Sequence, residues 1–467
     1  MSTEIPEPVT EIARAIRAEG GRALMVGGCV RDWLLGRASK DVDLEVFGVP
    51  ADRLRAVLDR FGRVDLVGES FTVFKIGNVD VSLPRRESKT GRGHRGFAVT
   101  GDPTMPVEEA ARRRDFTINA IARDPLTGEI VDPFGGRADL AARRLRAVDP
   151  RTFVDDSLRV LRALQFAARF ALTVDDETRA LCRSIPLDDL PAERVWGEFE
   201  KLLRLAERPS IGLALARDLR VLDQLLPELL PLAGCPQDAE WHPEGDVWTH
   251  TLLVVDHART RIESLARGPA AAVMLGALCH DIAKPTTTAV IEGRLRSPGH
   301  EEAGVAPTTA VLDRLNVHTL DGYDTRRTVL GLVAHHLKPM AFIKSPQPAS
   351  DGAFRRLALK VDLELLGMLA LADCHGRTGS FDCSMIETFL ERARAIGVEH
   401  RPPAPLLLGR HLLALGLSPG PKVGEMLQQV YEQQLDGQVT TVDEGIEEAR
   451  RLLASPALTR RSGPDTA

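Results

Sequence analysis

No apolar run in this 467-residue sequence approaches the roughly 20 residues needed to cross a bilayer, so no membrane-spanning helix is expected. The start, Met1–Gly20, is acidic and helical in pattern and lacks the basic head and apolar core of a secretory leader. Six cysteines (Cys29, Cys182, Cys235, Cys279, Cys374, Cys383) are scattered and form no Cys-x-x-Cys pair. A reducing cytoplasm is therefore the expected compartment. Excess positive charge is also missing: the formal net charge is −6. Any contact with nucleic acid must then come from a local basic surface rather than a global field. Lysine is scarce, nine of 60 basic residues. Arginine's planar fork suits phosphate, but a GC-rich coding bias gives the same excess, so the ratio carries no weight. There is no repeat of fixed period and no low-complexity tract.

The length predicts two to four domains, and 43% hydrophobic with 27% charged residues fits a soluble globular chain. Short apolar runs at Leu24–Val26, Val42–Phe47 and Val79–Leu83 predict strands, with a helix over Ala51–Phe61. From about Asp155 to Leu230 the pattern is helical, with Leu158, Leu161, Phe166 and Phe170 recurring at three- to five-residue spacing. Beyond it, only Ala289–Leu295 suggests a small strand turn. Pro-rich joints at Leu225–Pro243 and Arg401–Pro405 predict boundaries, and Ser455–Ala467 predicts a frayed end.

Residues 26–46 carry the most chemistry. Gly27 and Gly28 allow a backbone turn to approach phosphate closely. Asp41 and Asp43 are two apart on a predicted strand, so they share a face. Paired carboxylates repel unless a cation lies between them, and Mg²⁺ prefers such hard oxygen ligands. The string Gly27-Gly28-Cys29-Val30-Arg31-Asp32-Trp33-Leu34-Leu35-Gly36-Arg37, followed by Asp41-Val42-Asp43, resembles the head of the class II tRNA nucleotidyltransferases in the polymerase-β-like superfamily. That group contains CCA-adding enzymes, CC-adding and A-adding relatives, and bacterial poly(A) polymerases. The resemblance covers most of the chain and implies transfer of nucleotides from CTP and ATP to a tRNA 3′ end without a template, with Mg²⁺ at the head.

The same resemblance assigns further residues. Val79-Asp80-Val81 fits the third carboxylate, which orients or deprotonates the primer hydroxyl. Arg31 is expected to meet triphosphate oxygens, with Asp32 bracing the turn. Arg112-Arg113-Arg114-Asp115-Phe116-Thr117-Ile118-Asn119-Ala120 is similar to the family motif that contacts the nucleotide sugar and phosphates. Arg114 would hold phosphate while Asp115 and Asn119, four apart on a helical face, reach a ribose. The glycine-rich, basic segment Pro84–Thr100 predicts a mobile loop, which in CCA-adding relatives is associated with the switch from CTP to ATP.

Asp155–Phe170 resembles the nucleobase-reading helix. Asp156 and Arg159, three apart, offer an acceptor and donors that imitate the pairing edge of an absent template base, and Arg162 adds a further arginine. A wrong base would leave buried polar groups unpaired, which supplies discrimination. Two departures stand out: Asp155 where glutamate is usual, and Gln165 where many members carry a third arginine, which puts one triphosphate contact in doubt. Glu193–Leu203 resembles the following helix, expected to be structural.

Farther on, His280-Asp281 ends the apolar stretch Ala270–Cys279, with His250 before it and Asp373 after it. This order resembles the HD superfamily of metal-dependent phosphohydrolases, in which one divalent ion lowers the pKa of bound water. His300, His335 and His336 lie where two-metal HD proteins place extra histidines. Adjacent helical residues diverge by about 100°, so one of His335 and His336 is expected to point inward. Leu415–Gly424 resembles the C-terminal body of bacterial CCA-type enzymes, a Pro/Gly turn before a helix whose start could take a backbone phosphate.

The fold expectation is thus α+β: a nucleotidyltransferase head over 1–150, an all-helical neck over 151–230, an HD domain over 231–400 and a helical C-terminal body over 401–467. The expected activity is CCA addition to tRNA, with phosphohydrolysis at an HD metal whose identity the sequence leaves open. An A-adding-only enzyme, and an HD nucleotide phosphohydrolase with a non-catalytic head, are the alternatives. Poly(A) polymerase is disfavoured because that group's additional Arg-Arg-Phe element is missing.

Overall fold

The computed structural model describes residues 5–39, 41–67, 73–89 and 97–454. The chain forms two compact units, one of Met1–Leu230 with Arg314–Asn316, the other of Pro231–Asp313 with Val317–Ala467. No helix among the described residues is long and apolar enough to cross a membrane.

The first unit is built on a sheet of β1 (Arg22–Val26), β2 (Val42–Phe47), β3 (Asp65–Val67), β4 (Val73–Ile76) and β5 (Val79–Ser82). A second pair, β6 (Arg85–Lys89) and β7 (Phe97–Gly101), stands apart, and β8 (Ala122–Arg123) and β9 (Ile130–Val131) complete the sheet. Its order is β3-β4-β5-β2-β1-β8-β9, with β2 parallel to β5. Period-two alternation sorts the side chains. On β2, Val42, Leu44 and Val46 enter a core with Ala23, Met25, Val79 and Val81, closed by Val9, Ile12 and Ile16 from the helix Glu7–Ala18. Asp43 and Glu45 therefore take the opposite face, toward a cavity. Leu44, fully buried between them, locks this register; Leu44→Ala would cost about 2–5 kcal/mol.

The expected strands are present, with Val79–Leu83 ending one residue early, and the helix begun at Ala51 ends at Leu58. Within Pro84–Thr100 the outcome differs: β6 and β7 pair antiparallel. Arg86 anchors the first arm by donating to Asp102 (2.7 Å) and Glu109 (2.9 Å). Gly91, Gly93 and Gly96 lie outside the described residues, as does Ser455–Ala467. The stretch after Asp155 is helical save for Thr173–Val174, which pairs with Arg144–Leu145. The turn expected near Ala289–Leu295 is a hairpin, and a second, Thr319–Leu320 with Tyr323–Asp324, is too short to produce a period.

In the second unit the helix Arg267–Cys279 is apolar on every side and buried along nearly its whole length, as a central core helix must be. Helices Val247–Arg259, Thr325–His335 and Leu363–His375 pack around it. Its end delivers His280 and Asp281 into the interior. Leu407, Leu412, Met426, Val430, Val439 and Ala449 form a separate small core toward the C-terminus. The structure amends the cysteine expectation: Cys374 and Cys383 are joined by a disulfide, and Cys29, Cys182, Cys235 and Cys279 are buried thiols. The joined pair's nine-residue separation is invisible to a Cys-x-x-Cys search.

Candidate functional site

The face of β2 that carries Asp43 looks into a cavity of about 600 Å³. The turn after β1 borders it, with Gly27 at φ +74°. A Cβ at Gly27 would stand 3.1 Å from Arg114 Nη1 and 3.6 Å from Asp43 Oδ2, so glycine fits both the dihedral and the space. Asp43 and Asp80 are direct partners in the β2–β5 ladder. Asp41 lies one residue ahead of β2, in a bend, and is exposed like Asp43. Asp43 lines the cavity, whereas Asp41 and Asp80 do not. The Asp43 carboxyl is pushed above its ordinary range by the protein mass around it, with Arg114 opposing and Asp80 and Asp41 adding repulsion. Asp80 Oδ1 is buried without a hydrogen bond, though Lys75 Nζ stands 3.4 Å away. Oxygen donors with unspent negative charge fit a hard divalent cation.

Nine cationic and four acidic side chains line this cavity. A chain of net charge −6 thus concentrates a local positive field suited to a polyanion. Among the lining residues are Gly27, Gly28, Arg31, Arg114, Asp115, Asn119, Asp156, Arg159 and Arg162, all expected from sequence. Their roles are redistributed. Arg31 is almost fully buried; it donates to Asn119 Oδ1 (2.7 Å) and to Asp32 Oδ1 (2.9 and 2.8 Å), and stacks on Phe170 at 4.2 Å. Asp32, expected to brace the turn, instead holds this guanidinium. Asp115 and Asn119 do not share an α-helix, because that helix ends at Arg112 and Thr117–Asn119 is a single 3₁₀ turn. Asn119 instead donates to Asp115 Oδ1 at 3.0 Å, and Arg162 Nε donates to Asp115 Oδ2 at 2.7 Å. Burial alone would raise the Asp115 carboxyl. Arg162 and donors from Asn119 and the Phe116 backbone overcome it and hold the group below its ordinary range. Asp32–Arg31–Asn119–Asp115–Arg162 is therefore one polar chain that fixes two guanidinium groups at the cavity wall.

The helix expected over Asp155–Phe170 begins at Leu158, so Asp156 precedes it and Arg159 lies in its first turn. Asp156 Oδ1 accepts from the Leu158 backbone N–H, which breaks the register expected for a shared helix face. Arg159 is clamped by the carbonyls of Thr152 and Arg113, each at 2.7 Å. Arg194 Nη2 lies 3.5 Å from Asp156 Oδ2, from a helix expected only to support the neck. Buried Gln165 accepts from Arg169 Nη1 at 3.0 Å, and both reach the cavity. A cation one turn along thus stands beside the position where a third arginine was missed. Arg85, Arg113, Arg169, Arg194 and Lys201 complete the basic lining; none was singled out from sequence as a nucleotide ligand.

In the second unit, His250, His280, Asp281 and Asp373 converge as their order suggested. His250 Nε2 is 3.0 Å from Asp373 Oδ1, and His280 Nε2 is 3.1 Å from Asp281 Oδ2. His300 Nε2 is 3.2 Å from Asp281 Oδ1 and 3.2 Å from His336 Nε2. His336 is the inward member of its pair; His335 is half-buried and stands outside the cluster. Asp281 therefore faces two histidine pairs, one with each oxygen. Burial opposes charge on His250, but Asp373 and Glu244 raise it to about 9. His336 is pushed to about 3 by burial and by neighbouring His280. Asp281 and Asp373 are held well below the carboxylate range against burial, the first by His280 and Lys284, the second by His250. His280 Nε2 and Asp281 Oδ2 make no hydrogen bond although buried, while Lys284 Nζ lies 2.8 Å from that oxygen. Such a donor set fits divalent ions. Sequence had not singled out Glu244 or Lys284; the latter's position one helical turn after Asp281 was the available signal.

Comparison with known proteins matches this division. Residues 23–146 match the model of the poly A polymerase head domain, 172–232 the probable RNA and SrmB-binding site of polymerase A, and 247–374 the HD domain. The multifunctional CCA protein of Xanthomonas campestris pv. campestris is 39% identical over 420 residues, covering 86% of this chain and 95% of the relative. That of Stenotrophomonas maltophilia is 45% identical over 303 residues, covering 63% and 71%. The crystal structure of the Bacillus stearothermophilus CCA-adding enzyme in complex with CTP shares the fold, with a TM-score of 0.64 at 23% identity, covering 96% of this chain and 99% of that one. A head with an Asp43-bearing sheet, a helical RNA-binding segment and an HD cluster in one chain, aligned nearly end to end with such relatives, places the protein in the multifunctional CCA protein family.

Proposed function

We propose that the first unit adds C and A nucleotides to tRNA 3′ ends from CTP and ATP, without a nucleic-acid template. The observation that carries this reading is the cavity beside Asp43, where nine cations face four acids. Arg31, Arg114 and Arg162 receive the triphosphate, with Arg169 in place of the arginine that Gln165 lacks. Asp156 and Arg159 read the base edge, and Arg194 steadies Asp156. Asp80 orients the primer hydroxyl. Mg²⁺ would be held by Asp41 and Asp43, and when bound supplies the charge that offsets the phosphates in an in-line displacement. Positioning and electrostatics are the work left to the protein, since phosphoryl transfer needs little covalent help. Asp41→Ala and Asp43→Ala should each abolish incorporation of labelled CMP and AMP into tRNA lacking its 3′ end, with an unchanged circular dichroism spectrum. Near-wild-type incorporation by either variant refutes the assignment.

For the second unit we propose metal-dependent phosphohydrolysis. His250, His280 and Asp281, with Asp373 beside His250, would form one metal position, and Asp281, His300 and His336 a second, in keeping with the buried His280 Nε2 that makes no hydrogen bond. A divalent ion held there would acidify water for attack on phosphate. The four-part division at residues 150, 230 and 400, and a cytoplasmic location beside tRNA, belong to the same proposal.

A further inference from the structure

The histidines of the HD cluster are oriented in two ways. His280, His300 and His336 each turn Nε2 toward the cluster and pair Nδ1 with the carbonyl three residues earlier. Those carbonyls are Ala277 (2.9 Å), Ser297 (2.7 Å) and Val333 (2.8 Å). His250 departs from the pattern. The equivalent carbonyl, that of Val247, already accepts the Thr251 hydroxyl at 2.8 Å. His250 Nδ1 instead stands 2.7 Å from Glu244 Oε1, a close charge contact rather than an aligned hydrogen bond. The Glu244 side chain is 1% exposed. Its carboxylate is fixed from two other sides: His242 Nδ1 lies 2.9 Å from Oε1, and the Thr378 backbone N–H donates to Oε2 at 3.2 Å.

A buried carboxylate wedged between two imidazoles is costly unless its charge is used. It faces the outer nitrogen of the one cluster histidine that lacks a carbonyl partner. We propose that Glu244 is the positioning residue of this centre: it keeps the proton of His250 on Nδ1, holds Nε2 toward Asp281 and Asp373, and makes His250 a more electron-rich ligand than its carbonyl-paired neighbours. The inference rests on the metal reading of the cluster. Outer partners of ligating histidines set ring orientation and basicity, and their loss typically costs about 10–100-fold in metal affinity. Because the position formed by Asp281, His300 and His336 does not include His250, the loss should fall on one position of two.

The test is a Co²⁺ titration of the full-length protein, followed by visible absorption, for wild type, Glu244→Ala, Glu244→Gln and the His280→Ala/Asp281→Ala double variant. Glutamine keeps the shape and one acceptor without the charge, so it remains informative if alanine fails to fold. The expected result is one Co²⁺ position weakened about 10–100-fold in Glu244→Ala, an intermediate loss in Glu244→Gln, and a second position unchanged. Superimposable isotherms for wild type and both Glu244 variants overturn the role of Glu244 while leaving the metal cluster standing. Equal weakening of both positions also overturns it, because a general structural defect would act on both. If wild type takes up Co²⁺ no better than the double variant, the metal reading fails and this inference with it.

Discussion

Replacing Asp115 with asparagine preserves its shape and removes the charge on which the cavity wall depends. Asp115 is 7% exposed. Its Oδ1 accepts from the Phe116 N–H at 2.7 Å and Asn119 Nδ2 at 3.0 Å, while Oδ2 accepts from Arg162 Nε at 2.7 Å, with Nη2 at 2.6 Å. Every neighbour is a donor, so either orientation of the asparagine amide sets its own N–H groups against donors. Hydrogen bonds to charged groups contribute about 1.5–3 kcal/mol. Arg162 keeps 32% of its side chain in solvent, which recovers part of the loss. The net cost is then about 2–3 kcal/mol. For a unit of this size, ending at Leu230, that lowers the melting temperature by about 4–12 °C. Since Arg162 and, through Asn119, Arg31 line the cavity, KM for CTP and ATP should rise more than kcat falls. The pH dependence has a defined sign. A carboxyl held below its ordinary range stabilises the fold above its unfolded value of about 3.9 and loses that contribution as pH falls through the native value. The stability gap between wild type and variant should therefore be constant from pH 8 to 5 and close only in stronger acid. Differential scanning calorimetry at several pH values checks this. A shift under about 1 °C, well below the expected size, or a gap that closes near neutrality, refutes the reasoning.

Asp156→Ala and Arg159→Ala should blur selection among the four nucleoside triphosphates more than they weaken tRNA binding; unchanged relative incorporation in both variants removes the base-reading role. His280→Ala with Asp281→Ala should eliminate metal-dependent hydrolysis of 2′,3′-cyclic phosphates and phosphomonoesters and spare nucleotide addition. A folded double variant that cannot add nucleotides would contradict this division of labour.

Sequence conveyed what depends on local period. Alternation along Val42–Phe47 set Asp43 apart from its apolar neighbours, and the unbroken apolar run Ala270–Cys279 announced a helix ending at His280-Asp281. Motif order offered Asp80 as a third carboxylate on a neighbouring strand, but not its direct pairing with Asp43. What escaped was set by tertiary contact. Asp115 and Arg162 are 47 residues apart, and no periodicity links them, so Asp115 was expected at a ribose rather than beneath a guanidinium. The clamping of Arg159 by the Thr152 and Arg113 carbonyls depends on backbone positions that composition does not encode. Glu244 was invisible because its partner His250 lies on the following helix, and its value comes from a carbonyl already taken by Thr251. Gln165 was legible as a departure; that it holds Arg169 at the cavity was not.

The central claim is that the cavity beside Asp43 selects and transfers both C and A. The direct measurement supplies purified protein and Mg²⁺ with a tRNA lacking its terminal CCA, and resolves the products by single nucleotides. CTP alone should extend the tRNA by the C residues only, ATP alone should leave it unextended, and the two together should complete CCA. A protein that extends only tRNA already ending in CC, using ATP, would be an A-adding enzyme. One that extends nothing under any of these conditions would contradict the account outright.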